Sequence, residues 1–133
     1  MREEKLKAMF DEYEIRKLLE RYTRGVDRLD AALICSVYHE KSTDDHGPYK
    51  GSGADFGEFV TELLGKETES TMHSLNQSVI DVDGDNAQAE TYFVAYHVRL
   101  DDGDEYLDRF GGRYLDRLRR HFGQWRIDNR VVV

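Results

Sequence analysis

Ser70–Asp85 reads STMHSLNQSVIDVDGD, and its reading decides the fold. The β-branched residues Val79, Ile80 and Val82 mark its far half as a strand, and Asp83-Gly84-Asp85 is a tight turn, because glycine accepts a positive φ without steric cost. A second strand is expected from Ala87 to Leu100. Its strict alternation sets Ala89, Thr91, Phe93, Ala95 and His97 on one face, with Tyr92, Val94 and Tyr96 on the other. Asp101-Asp102-Gly103-Asp104 turns the chain again. Tyr106–Arg120 then returns as a strand in which Gly111-Gly112 suggests a bulge or bend, and Gln124–Val133 follows a turn at His121-Phe122-Gly123.

Upstream the period changes from two to about 3.6. Ile15, Leu18, Leu19, Tyr22, Val26 and Leu29 recur at three- and four-residue steps and describe an amphipathic helix laid on a core. Asp30 is an N-cap for a second, short helix through Ala31, Leu33 and Ile34. A strand is expected within Ser36–His46, ended by His46-Gly47-Pro48. Phe56, Phe59, Val60, Leu63 and Leu64 mark a further helix, with Gly65 as its C-cap. Helices first and an antiparallel meander afterwards is an α+β layout, and 133 residues make one domain spanning 1–133.

Composition excludes several classes of function. A net charge of -8 and a pI near 5.1 argue against nucleic acid, whose phosphates are held by a surplus of Lys and Arg. Arg113, Arg117, Arg119 and Arg120 stand among Asp108 and Asp116 and read as a solvated strand face. There is no apolar run of membrane-spanning length, and MREEKLKAMF lacks the apolar centre of a signal peptide, so a cytoplasmic protein without a membrane partner is expected. Cys35, the single cysteine, lies in an apolar stretch and reads as a buried, inert thiol. Asp81, Asp83 and Asp85 imitate a calcium loop, but Asn86 stands where that loop needs glycine and Tyr92 where it needs glutamate. Gly51-Ser52-Gly53 lacks the lysine and third glycine of a phosphate cradle. His39, Asp44, Asp45 and His46 are too loosely spaced for a metal site, since alternation sends His39 and His46 to opposite faces. No metal and no cofactor are expected.

The residues that carry chemistry are then few. Asp27 borders the apolar stripe of the first helix, where Gly25 weakens the helix two residues earlier. His73 shares a face of its strand with Leu75 and Val79. A carboxylate beside an imidazole fixes its tautomer and steadies its charged form, which makes a proton-transfer catalyst near neutral pH. Tyr22 belongs to the helix stripe, and Arg130 precedes three terminal valines.

The segments ERYTRGVDRLD, STMHSLNQSVIDVDGD and GGRYLDRLRRHFGQWRIDNR resemble the SnoaL-like branch of the NTF2-like superfamily, over about Glu14–Arg130. That resemblance implies a cone of N-terminal helices packed on a strongly curved antiparallel sheet, with catalytic groups lining its inside. It places Asp27 and His73 as the acid–base couple, Tyr22 five residues before the helix aspartate, Arg130 after the tryptophan of the last strand, and His97 as a second histidine. The family's further acidic residue near Tyr96-His97 is missing here. The function implied is a cofactor-independent lyase, a dehydratase or a related eliminase, or an isomerase, acting on a hydrophobic cyclic small molecule. The competing class is a noncatalytic binding or assembly subunit, such as the small subunit of an aromatic-ring dioxygenase. A homo-oligomer, dimer or trimer, built partly on the open sheet face is also expected.

Overall fold

In a computed structural model describing residues 1–133, α1 (Arg2–Asp27) runs thirteen residues upstream of the first stripe residue, Ile15, and stops at Asp27. Its inward stripe, Ile15, Leu18, Leu19, Tyr22 and Val26, is buried, whereas Leu29 lies beyond the helix end in a left-handed conformation and is exposed. Asp30 caps α2 (Ala31–Cys35) by accepting the backbone N–H of Leu33 at 3.0 Å. Within this single turn of helix Ile34 takes the inward direction. Cys35, about 100° further round, is exposed, which corrects the expectation of a buried thiol.

The chain then enters the sheet before its last helix. β1 (Tyr38–Asp45) pairs with the short β2 (Lys50–Ser52), and α3 (Gly53–Glu67) follows. Gly65 is not the C-cap expected of it. The helix runs through it to Glu67, and Thr68, in extended conformation, ends it. β3 (Ser70–Asp83), β4 (Asn86–Asp101), β5 (Asp104–His121) and β6 (Gln124–Val132) form the expected meander. The turn between β3 and β4 carries Gly84 at φ +61°.

The strand order is β2-β1-β6-β5-β4-β3, and β1 runs parallel to β6. This corrects the fold expected from the resemblance: in place of a strongly curved, wholly antiparallel cone stands an open, mixed six-stranded sheet. The physical reason lies in the connection. β1 leaves α2 with its own direction already set and docks beside the last strand, a non-local pairing that no hairpin signal announces. Gly111-Gly112 also departs from expectation. The β4–β5 register runs unbroken through both, Val94 opposite Gly111 and Phe93 opposite Gly112, so there is no bulge. Gly112 is needed for space, since a Cβ there would lie 2.5 Å from the carbonyl oxygen of Val133 and 3.1 Å from the ring of Phe93.

Besides a shift between β5 and β6 at Arg117 and Leu118, the meander is irregular in β3. Its register with β4 shifts between Leu75 and Ser78, so the inward phase passes from His73 and Leu75 to Ser78, Ile80 and Val82. Val79, expected on the face of His73, is 55% exposed. The core lies between α1, α3 and the inner sheet face, where Ala87, Ala89, Thr91, Phe93 and Ala95 of β4 are buried in strict alternation.

Candidate active site

Asp27 is the last residue of α1, and its carboxylate is turned onto β3. It accepts the ring Nδ1 of His73 at 2.7 Å, the backbone N–H of His73 at 3.0 and 3.1 Å, and the hydroxyl of Thr71 at 3.0 Å. Burial pushes the Asp27 carboxyl up, but the hydrogen bonds from the His73 ring and backbone, with Thr71, outweigh it and hold the group below its ordinary value. An ionised Asp27 accepts the proton on Nδ1 and so leaves Nε2 of a neutral His73 with its lone pair free.

His73 forms part of the wall of a cavity of about 400 Å³, within the range of small-molecule sites. Its lining is mainly apolar: Val26 from α1, Phe56, Phe59, Val60, Leu63 and Leu64 from α3, and Phe93, Ala95, Phe110 and Tyr114 from the sheet. A groove of about 680 Å³ between Asp81, Asn86, Arg117 and Asp128 is larger but polar, and contains no such couple. His97 also reaches the cavity, its ring centroid 5.9 Å from that of His73 and 4.9 Å from that of Phe110. Burial first, and the neighbouring His73 second, lower its pKa below the usual histidine value. Glu67 is the one carboxylate among the lining residues, and no Lys or Arg is among them.

Tyr22 lines the same cavity, and its hydroxyl lies 3.3 Å from Nε2 of His46. His46 in turn bonds through Nδ1 to the fully buried Asp44, whose other carboxylate oxygen accepts the hydroxyl of Tyr38 at 2.5 Å. A second histidine–carboxylate couple thus borders the same cavity. Reading the sequence for charge and stripe missed it. The usable sign was the spacing of Asp44 and His46, which alternation sends to one face of the chain. His46 stacks on Phe56 with ring centroids 4.3 Å apart, which holds its ring at the cavity wall.

Arg130 does not join the cavity wall. It is fully buried and pairs with Asp116, directly opposite on β5, through Nε at 2.7 Å and Nη2 at 2.8 Å. Its guanidinium carbon lies 4.2 Å from the ring centroid of Tyr22 and 4.1 Å from that of Tyr114, so it stacks behind two wall residues. Burial disfavours its charge, but Asp116 more than offsets that and keeps the guanidinium protonated. Burial raises the Tyr22 hydroxyl well above its ordinary value, while Arg130 opposes that rise. Of the residues singled out, the structure therefore gathers Tyr22, His73 and His97 around one cavity, with Asp27 behind His73 and Arg130 behind Tyr22.

A family model described as a SnoaL-like domain matches residues 7–131. The chain belongs to the SnoaL-like domain family. The NTF2-like superfamily fold is shared with several solved structures at low identity. A protein of Novosphingobium aromaticivorans named as a candidate scytalone dehydratase is 19% identical, with 94% of this chain and 84% of that one aligned at a TM-score of 0.81. A hexachlorocyclohexane dehydrochlorinase of type 2 is 14% identical, with 97% and 88% aligned at a TM-score of 0.84. An NTF2-like superfamily protein of Salmonella enterica is 22% identical, with 91% and 88% aligned at a TM-score of 0.79. The sequence has no significant match among curated proteins. This SnoaL-like domain thus combines a histidine–aspartate couple with an apolar cavity, on a fold it shares with proteins named as a dehydratase and a dehydrochlorinase.

Proposed function

We propose that this SnoaL-like domain is a cofactor-independent lyase or isomerase that acts on an uncharged, hydrophobic cyclic small molecule carrying a carbonyl or comparable acidifying group. The observation that carries the reading is the 2.7 Å hydrogen bond that Nδ1 of His73 donates to Asp27, which leaves Nε2 as the free ring nitrogen of a residue in the cavity wall. His73 takes a proton from carbon, the electron pair of that C–H bond forms the new double bond, and a hydroxyl or halide leaves. A departing hydroxyl needs a proton to become water. Tyr22, which lines the same cavity with His46 and Asp44 behind it, supplies one. In isomerisation the proton is returned to a different carbon and nothing leaves.

The remaining roles follow from position. Arg130 touches no substrate; it is a positioning residue that holds the rings of Tyr22 and Tyr114 and favours negative charge on the Tyr22 oxygen. His97 is a polar anchor or second acid beside His73. With aromatic and aliphatic walls, one rim carboxylate and no lining Lys or Arg, the cavity favours uncharged rings over carboxylates or phosphates.

The test uses hydroxylated and halogenated cyclic ketones, followed by absorbance of a conjugated double bond, with solvent deuterium exchange as the readout that also registers isomerisation. His73→Ala is expected to lower kcat by a factor on the order of a hundred to ten thousand, with binding of the ketone largely retained, because the imidazole acts on the transition state. Full turnover by His73→Ala of a substrate used by the parent would end the reading.

A further inference from the structure

His39, His121 and Asp128 come together on the sheet, and none of them lines the cavity. They sit on three adjacent strands: His39 on β1, Asp128 on β6 and His121 at the end of β5. Neighbours on the same strands, Tyr38 and Ile127, point into the core, so alternation turns His39 and Asp128 outward, where both are partly exposed. One ligand atom from each of the three lies within 4.8 Å of the others.

The three side chains are only lightly engaged elsewhere. Nε2 of His121 donates to Oδ1 of Asp128 at 2.9 Å, and the ring of His39 stacks on that of His121 with centroids 3.8 Å apart. His39 holds one long hydrogen bond, from the backbone N–H of Lys41 at 3.3 Å. Arg119 forms an ion pair with the other oxygen of Asp128 at 3.1 Å, so Oδ1 is the oxygen that meets the histidines. Arg126 lines a groove together with His39 and His121, but its donors go to the carbonyl of Trp125 and the side chain of Gln124.

We infer that His39, His121 and Asp128 form a binding site for a borderline divalent transition ion of the zinc type. Two imidazoles and a carboxylate are the donor set such ions take, with water in the fourth position. The ion replaces the proton that His121 and Asp128 share and releases it to solvent. Donors around a tetrahedral ion with bonds of about 2.1 Å stand roughly 3.4 Å apart. His39 therefore turns out of its stack to close the triangle, because the in-plane lone pairs of two nearly parallel rings cannot meet at one ion. The bound ion clamps β1 to β6 beside the point where their parallel register shifts, between Tyr38 and Thr43.

The experiment is a calorimetric titration of the full chain with Zn2+, paired with a thermal melt. The parent is expected to bind one ion and to melt higher in its presence, because the ion binds the folded state alone. His39→Ala and Asp128→Asn, both at the surface and checked for folding by circular dichroism, are each expected to weaken binding by at least about tenfold and to lose the rise in Tm. His73→Ala is expected to bind as the parent does. The site is overturned by a parent that takes up no zinc, by unchanged affinity in His39→Ala, or by loss of binding in His73→Ala, which would place the ion in the cavity.

Discussion

Asp27 is held by more partners than a surface aspartate at a helix end requires, and that excess makes its replacement informative. In Asp27→Asn the amide NH2 must face either the ring or the backbone N–H of His73. The ring can satisfy it only by accepting at Nδ1, which moves its proton to Nε2 and removes the free lone pair from the cavity. A fall in kcat on the order of a hundredfold, with little change in KM, is therefore expected in steady-state kinetics. Stability follows with a definite sign. The folded pKa of Asp27 lies below its ordinary 3.8, so its contribution is fully present above about that pH and is lost as pH falls through the lowered value. Urea unfolding of the parent and Asp27→Asn from pH 3 to 7 should show a gap between them that narrows toward the acid end. A gap that widens there would contradict the ionised assignment.

Among the elements, β4 and β5 show how a backbone contact shapes the cavity. Phe93 stacks on Tyr114 with centroids 4.2 Å apart, and Gly112 sits opposite Phe93 with the chain end against it. Gly112→Ala forces its new methyl group into the Val133 carbonyl and the Phe93 ring. Overpacking of this kind costs about 1–3 kcal/mol, readable as a lower urea midpoint. Because the displaced ring is a wall residue, KM for a cyclic substrate should rise as well. Unchanged stability in this variant would show that the end of β6 yields freely. The reading of Gly111-Gly112 as a bulge failed for the same reason: glycine in a strand marks either a kink or a close approach, and only the neighbours distinguish them.

For the whole molecule, association is the property left to measure. No helix is long and apolar enough to cross a membrane, yet Met72, Leu100 and Leu107, on the outer face of the β3–β5 meander, are exposed. We propose that this end of the sheet is covered by a second copy. Light scattering at increasing concentration is expected to show a homo-oligomer, and Leu107→Glu to shift it toward monomer. A parent that stays monomeric at high concentration would count against it.

Much of this was already legible in local pattern. The α1 stripe, the Asp30 cap, the alternation of β4 and the Gly84 turn depend on residues a few positions apart, whose periods and backbone preferences act before any tertiary contact forms. The resemblance to SnoaL-like proteins drew on the same short segments. What the local pattern could not reach was long-range: the parallel seam of β1 and β6, the phase shift in β3, and the meeting of His46 and Asp44 with Tyr22. Arg130 makes the point most sharply. Its place before three terminal valines gives no local sign of burial, and only its pairing with Asp116 on the neighbouring strand makes complete burial affordable. Local chemistry determined which residues were able to act; the register of distant strands decided which of them met.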